Sequence, residues 1–190
     1  GLFNLKLMTS FYKISNLIKS YISLILGNLS AYLMIGVTLF ALAEIIRRYI
    51  FGVVFEWGQD AVIYAMVSSV ALYICVTQIN RGHLVMSAVL QLLNAKGFHR
   101  TVGFLKIFVS IFISVFTGSL TYTAYSTIEY SIKIGERTES LFFYMWPFHF
   151  VLSIGMGLMC VVAFLQFIED IHSYVKGDHF TQEIEAATDV

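Results

Sequence analysis

Four long apolar stretches constrain the fold of this chain more than any other feature of its sequence. A helix needs about 20 apolar residues to cross the hydrocarbon core of a bilayer, and the stretches cover residues 21–43, 61–79, 102–124 and 141–168. The fourth is longer than required, so we expect it to tilt or to project beyond the bilayer. With 58% hydrophobic and only 13% charged residues, the composition is far from that of a soluble domain. The sequence therefore predicts an all-α integral membrane protein with four transmembrane helices.

Two shorter segments are amphipathic. In residues 1–20, apolar side chains recur at helical spacing while lysines lie off that face, which predicts an N-terminal amphipathic helix at the membrane surface. Residues 83–94, "HLVMSAVLQLLN", are about half a membrane thickness long and carry a single narrow polar stripe. We expect them to form an interfacial helix between spans 2 and 3.

Residues 169–190 are acidic and weakly patterned, and they are predicted to be a cytoplasmic tail that frays into solvent.

Basic residues predict the orientation of the chain. If the N-terminus lies inside, the inner segments contain eight Lys and Arg residues and the outer segments four, namely Arg47, Arg48, Lys133 and Arg137. Short loops rich in Lys and Arg stay on the cytoplasmic side. Both termini are therefore predicted to be cytoplasmic.

The connection between the first two spans, "RRYIFGVVFEWGQDA" at residues 47–61, combines two cations, aromatic residues and a carboxylate. Glu44 precedes the arginines by three and four residues, so it can pair with either of them on one helix face. The aromatic residues suit the headgroup level, and Asp60 lies at the start of the second helix, where the dipole favours an acid. One arginine remains for a lipid phosphate or a partner subunit, although plain anchoring at the interface would also explain the stretch.

Groups that could carry out chemistry are scarce. A haem subunit needs paired histidines within its spans, but only His149 lies in one; we expect it to pack and form a local hydrogen bond rather than ligate a metal. No phosphate loop, nucleophile motif or metal spacing occurs, and a net charge of +0 gives no nucleic-acid signature. We thus predict no enzyme activity, no catalytic residues, and no cofactor or metal.

A weakly polar stripe runs along the third span, formed by Ser110, Ser114, Thr117, Thr121 and Tyr125. Spans 1 and 4 contain the small-residue pairs Gly27/Ala31 and Ser153/Gly157. Small and hydroxyl residues allow helices to approach closely in lipid. Helix packing is the favoured interpretation, and a permeation path is the alternative.

The order of these features resembles the small membrane subunit (DctQ family) of tripartite ATP-independent periplasmic (TRAP) transporters, over about residues 20–170. The resemblance rests on Arg48-Tyr49-x-Phe51-Gly52 followed by Trp57, on Gly82-His83 after the second span, and on Arg137-Thr138 before the fourth. The sequence departs from the family in several places. It reads Trp57-Gly-Gln59-Asp60 where Trp-x-Glu-Glu is common, has Val85 and Ser87 after Gly-His, and has Tyr144 and Ser153 where prolines are common.

The resemblance implies an accessory scaffold subunit of a sodium-coupled importer in the bacterial inner membrane. Its implied partners are a large membrane permease subunit and a periplasmic substrate-binding protein that delivers an organic acid or similar solute. From the residues themselves we expect phospholipid as a further partner and no nucleic acid. The alternatives are the membrane anchor of a redox complex and a stand-alone small transporter. The candidate contacts with a partner or with lipid are Arg47, Arg48, Tyr49, Phe51, Trp57, Asp60, His83, Gln91 and Arg137.

Overall fold

The computed structural model describes residues 2–80, 88, 92–93, 96 and 99–176, with backbone only at residues 2–9, 99 and 176. The long helices are α1 (Leu2–Phe51), α2 (Gly58–Ile79), α3 (His99–Ile134) and α4 (Trp146–Lys176). Each is long and apolar enough to cross a membrane. Throughout the described residues the only β-type pairing is an isolated bridge between Arg137 and Tyr144. The predicted all-α membrane fold with four spans is confirmed.

The N-terminal segment is helical, but it is continuous with the first span. No glycine or proline occurs between Leu2 and Leu26 to interrupt the helix. The polar side of this segment faces α4, because Tyr12 and Ser15 both contact that helix. The helix has no break at the predicted boundary at residue 20, and the placement of residues 1–20 at the membrane surface stays a prediction.

Both boundaries of the fourth span also differ from those predicted. Residues 141–145 form a loop, in which Leu141 has a φ of 61°, and α4 begins at Trp146. Pro147, the only proline of the chain, occupies the first turn, where its missing N–H costs nothing. At the other end α4 continues to Lys176, so the start of the predicted tail at residue 169 belongs to the helix.

The predicted interfacial helix at 83–94 lies outside the described residues apart from Ala88, Leu92 and Leu93, which are helical. Residues 177–190 also lie outside the described residues.

The four helices form an open row in the order α1, α2, α4, α3. The neighbours in this row pack against each other, and α1 also touches α4 at a few positions; in the described part of the chain α3 packs only on α4. A cluster of buried residues holds the first three members of the row together: Leu26, Leu72, Cys75, Val76, Met159 and Val162. Many large apolar side chains elsewhere on these helices are exposed. The chain is thus a wall one helix thick, with broad apolar faces.

The closest backbone approach found at a glycine is between α2 and α4. A Cβ atom added to Gly155 would lie 2.6 Å from the carbonyl oxygen of Ala71. Toward the end of α2, Gln78 donates to the side-chain oxygen of Gln166 at 2.7 Å, and Gln166 donates to the Gln78 carbonyl at 2.8 Å. A glycine contact and an amide pair therefore fix the central crossing of the row.

The polar stripe of the third span packs mainly on α4. Ser110 donates to Asp170 at 2.8 Å, and the Cys160 thiol donates to the Ser114 carbonyl at 3.4 Å. Thr117 is buried, and a Cβ on Gly157 would lie 3.5 Å from Thr121. Only Tyr125, 72% exposed, points away. Of the other small-residue pairs, Gly27 lies in open space and Ala31 is exposed, so that pair does not mediate packing.

Candidate interface at the loop end of the helices

The connection 52–57 and the loop 135–145 lie at the same end of the row, which we call the loop end. The opposite end, which carries the start of α1 and the last turns of α4, is the terminal end. Contacts between the two loops include the rings of Trp57 and Phe143, whose centroids are 5.9 Å apart in an edge-to-face arrangement. Most of the predicted contact residues lie at the loop end, so its geometry decides what they can do.

The two arginines at the end of α1 have different partners. Arg48 pairs with Glu44 across one helical turn, with Nη2 and Oε1 3.7 Å apart. Glu44 reaches the start of α2 because Gly58 has no side chain: a Cβ there would lie 2.8 Å from the Glu44 carboxyl carbon. The positive end of the α2 dipole favours a carboxylate at this position. The inference that Glu44 needs only one arginine agrees with this geometry.

Arg47 instead stacks on an aromatic cluster, which we define as Phe40, Phe55 and Trp57. Its Cζ lies 3.9 Å from the centre of the Phe55 ring, a cation–π contact. The centroids of Phe55 and Trp57 are 5.0 Å apart, and those of Phe40 and Trp57 are 5.7 Å apart. Arg47 belongs to no ion pair within the described residues. Its guanidinium N–H groups therefore remain available to an anion.

Asp60 holds the second loop. Its Oδ2 accepts hydrogen bonds from the backbone N–H of Ser140 at 2.9 Å and from the Ser140 hydroxyl at 2.5 Å. The side chain of Asp60 is buried. Asp60 therefore ties the loop to the start of α2, and its role as a contact for a partner or for lipid stays a prediction.

Arg137 is likewise engaged in its own loop. It donates to the Leu141 carbonyl at 3.1 Å and to the Tyr144 hydroxyl at 3.0 Å, and it also lies over the Tyr144 ring at 4.7 Å. Backbone hydrogen bonds from Thr138 to Phe143 and from Met145 to Glu136 close the loop. These contacts define the conformation of the loop within the chain.

The remaining predicted contact residues fall into two groups. Tyr49 and Phe51 are 82% and 71% exposed, so they point into the surroundings and do not join the aromatic cluster. His83 and Gln91 lie outside the described residues. Among the described residues, the ring contact that joins the two loops is the one between Trp57 and Phe143.

Three residues that matter at the loop end were not identified from the sequence. Phe40 lies seven residues before Arg47, which puts both on one helix face, and this spacing could have indicated the stack. Gly58 directly follows Trp57, but a glycine gives no sign of which side chain it accommodates. Ser140 carried no distinguishing signal, because its pairing with Asp60 joins positions 80 residues apart.

The terminal end is held by polar links centred on α4. Glu169 accepts from the Ser15 hydroxyl at 2.6 Å and from the Lys19 ammonium at 2.5 Å. Tyr12 and His172 are within hydrogen-bond distance at 3.2 Å. The polar contacts at the terminal end therefore hold α1 and α4 together.

Among the described residues no group of three potential metal ligands occurs. The Nδ1 atom of His149 is buried without the hydrogen bond that we expected.

A comparison with protein families identifies a relationship that covers most of the chain. The family described as "Tripartite ATP-independent periplasmic transporters, DctQ component" has a model that matches residues 31–173, about three quarters of the chain. No match was found among curated proteins or among solved structures. The matched range runs from the middle of α1 almost to the end of α4 and includes the whole loop end.

Proposed function

Because the chain belongs to the DctQ family of tripartite ATP-independent periplasmic transporters, a family of transporter components and not of enzymes, we propose that it is the static scaffold subunit of a sodium-coupled importer. The large permease subunit would move the solute, and a periplasmic binding protein would deliver it. The solute is proposed to be an organic acid or a similar small anion. The loop end is proposed to face the periplasm, with both termini in the cytoplasm of a bacterial cell.

The observation that carries the scaffold role is the open row of helices. A helix in a stand-alone transporter would pack on several neighbours around a central path, but here α3 packs on α4 alone within the described residues. Apolar side chains such as Phe108, Phe112 and Phe116 are exposed along α3. Lipid can cover these faces, but a second membrane protein would cover them with more specific packing. A rigid wall of this kind supports a moving partner without itself binding the solute.

The decisive test is reconstitution. Proteoliposomes that contain this chain, the large subunit and the binding protein should accumulate labelled solute when a sodium gradient is imposed. Vesicles with this chain and the binding protein alone should not. Uptake by this chain without the large subunit would contradict the scaffold role, and full uptake driven without sodium would contradict the proposed coupling.

The loop end is also the proposed contact for the binding protein. Since Asp60, Arg48 and Arg137 are engaged within the chain, the exposed charges left on this surface include Glu56 and Glu139. A surface of this sign attracts basic side chains, and such attraction mainly changes the association rate. We call the surface around Glu56 and Glu139 the rim, and we propose that the binding protein presents lysines or arginines to it.

Charge changes on the rim test this contact. Glu56→Lys and Glu139→Lys should raise the concentration of binding protein that gives half-maximal uptake, and the two Gln variants should have a smaller effect because they remove charge without reversing it. The difference should shrink at high salt, since about 1 M salt reduces the screening length to about 3 Å. The affinity of the isolated binding protein for solute is the control and should not change. Equal half-maximal concentrations for all variants at low salt would contradict the proposed docking site.

A further inference from the structure

An apolar groove lies between α1 and α2 in the half of the row nearest the loop end. Its volume is about 450 Å³, and its walls include Leu29, Gly36 and Phe40 from α1 and Trp57, Ala61 and Ala65 from α2. A Cβ atom added to Gly36 would meet nothing within 4 Å, so the groove is open at its middle. We call this feature the α1/α2 groove.

The length of the α1/α2 groove along α1 matches the hydrocarbon thickness of one leaflet of a bilayer. From Leu29 to Phe40, at 1.5 Å per residue, the groove is roughly 16 Å long, and half of a hydrocarbon core is about 15 Å. A helix of a partner would be about 10–12 Å wide and would continue across the second leaflet, where the groove does not continue. A single acyl chain fits both the length and the apolar lining.

A cation stands at the end of the groove where a lipid headgroup would lie. Gly36, Phe40 and Arg47 share one face of α1, because their separations of four and seven residues are close to one and two helical turns. The Arg47 guanidinium stacks on Phe55, which in turn contacts the groove wall at Trp57. Arg48, by contrast, is already paired with Glu44. The guanidinium of Arg47 therefore combines a fixed position with free donors that suit a phosphate.

We propose that the α1/α2 groove binds one phospholipid from the leaflet at the loop end, with an acyl chain between α1 and α2 and the phosphate on Arg47. The groove lies deeper in the membrane than Arg47, just as the acyl chain of a phospholipid lies deeper than its phosphate. The bound lipid would fill the space that the groove leaves between the two helices. This inference depends on the fold of this chain and not on the identity of the transported solute.

Trp57 provides a direct reporter, because it lines the groove and the chain has only one other tryptophan. The full chain with Trp146→Phe would be reconstituted in dioleoyl phosphatidylcholine vesicles containing phosphatidylglycerol that is brominated near the glycerol end of its acyl chains. Bromine quenches tryptophan fluorescence only at short range. Brominated diacylglycerol, which has the same chains but no phosphate, is the matched probe. We expect the phospholipid to quench Trp57 at an about tenfold lower mole fraction than diacylglycerol.

Variants separate the groove from the bulk lipid. Gly36→Leu fills the groove and should abolish most of the quenching. Ala65→Leu fills it from the opposite wall, should have the same effect, and replaces the first variant if that one folds poorly. Gly27→Leu is the control, because Gly27 also has open space around it but does not line the groove. Arg47→Gln should remove the tenfold preference for the phospholipid while leaving quenching by diacylglycerol unchanged.

Three results would overturn the proposal. Equal quenching of Gly36→Leu, Ala65→Leu and Gly27→Leu would mean that Trp57 senses only bulk lipid. Equal potency of the two brominated probes in the parent chain would exclude the role of Arg47. Loss of quenching in a complex with a tryptophan-free large subunit would mean that protein, and not lipid, occupies the groove.

Discussion

Replacing Gly155 with alanine tests the central packing contact of the chain. The added Cβ atom would lie 2.6 Å from the Ala71 carbonyl oxygen, about 0.7 Å closer than the 3.3 Å that carbon and oxygen keep in C–H···O contacts. Because the obstacle is backbone on α2, no side chain can rotate away, and the two helices must separate. Overpacking of this kind costs about 1–3 kcal/mol.

Gly27→Ala is the matched control for this variant. The change is chemically identical and also lies within a helix, but a Cβ at Gly27 meets nothing within 4 Å. Both variants gain roughly 0.5–1 kcal/mol of helix propensity, so the difference between them isolates the steric cost. For a chain of this length, each kcal/mol shifts the melting temperature by about 2–4 °C. We therefore expect Gly155→Ala to melt roughly 2–12 °C below Gly27→Ala.

Thermal unfolding can be followed in detergent with a thiol-reactive fluorescent dye, because Cys75 is fully buried in the folded chain. Gly118→Ala supplies an intermediate point, since its Cβ would lie 3.3 Å from the Cys160 sulfur, a side chain that can adjust. The melting temperature should be highest for Gly27→Ala, intermediate for Gly118→Ala and lowest for Gly155→Ala. If Gly155→Ala melted at the same temperature as Gly27→Ala, the close crossing of α2 and α4 would be refuted.

Three further predictions concern the polar links. Asp60→Asn should weaken the tie to the second loop, and hydrogen exchange of the Ser140 amide should become faster than in the parent chain; unchanged protection would show that the loop holds itself. Gln166→Leu should destabilise the chain by about 1 kcal/mol, because hydrogen bonds between membrane helices contribute about this much, and a melting temperature equal to that of the parent would contradict it. Glu169→Ala should detach the start of α1 from α4, visible as faster hydrogen exchange in residues 10–20, whereas equal rates would mean that apolar contacts alone hold this segment.

The sequence predicted the helices well because a bilayer allows few solutions. A span must be long, apolar and hydrogen-bonded within itself, so the four spans could be read directly from hydropathy. The ends were less predictable. Glu169 and Asp170 looked like the beginning of a solvated tail, but Glu169 is bound by Lys19 and Asp170 accepts from Ser110, and such pairings between distant positions leave no trace in local composition.

The loop end was predicted in its parts but not in its arrangement. The pairing of Glu44 with an arginine followed from helical spacing, and the structure selects Arg48. The role of Asp60 was assigned by its position at a helix start, which is correct but incomplete, because its acceptor capacity is used by Ser140. Helix-local interactions repeat with a fixed period and can be deduced from one segment, whereas contacts between loops depend on the packing of whole helices.

Contacts along α4 restrain this helix against its neighbours at several separate heights. Helices in lipid gain little from burying apolar surface against each other, so close packing and hydrogen bonds must supply specificity. In α4 the close packing lies in the middle, at Gly155, and each of the other three helices is joined to it by a side-chain hydrogen bond nearer its terminal end, at Gln166, Glu169 and Asp170. The loop end is tied separately, through Asp60. Because α4 is restrained at these separate heights, tilting it against its neighbours would break at least one set of contacts, and resistance to tilting is what the scaffold role proposed above would require.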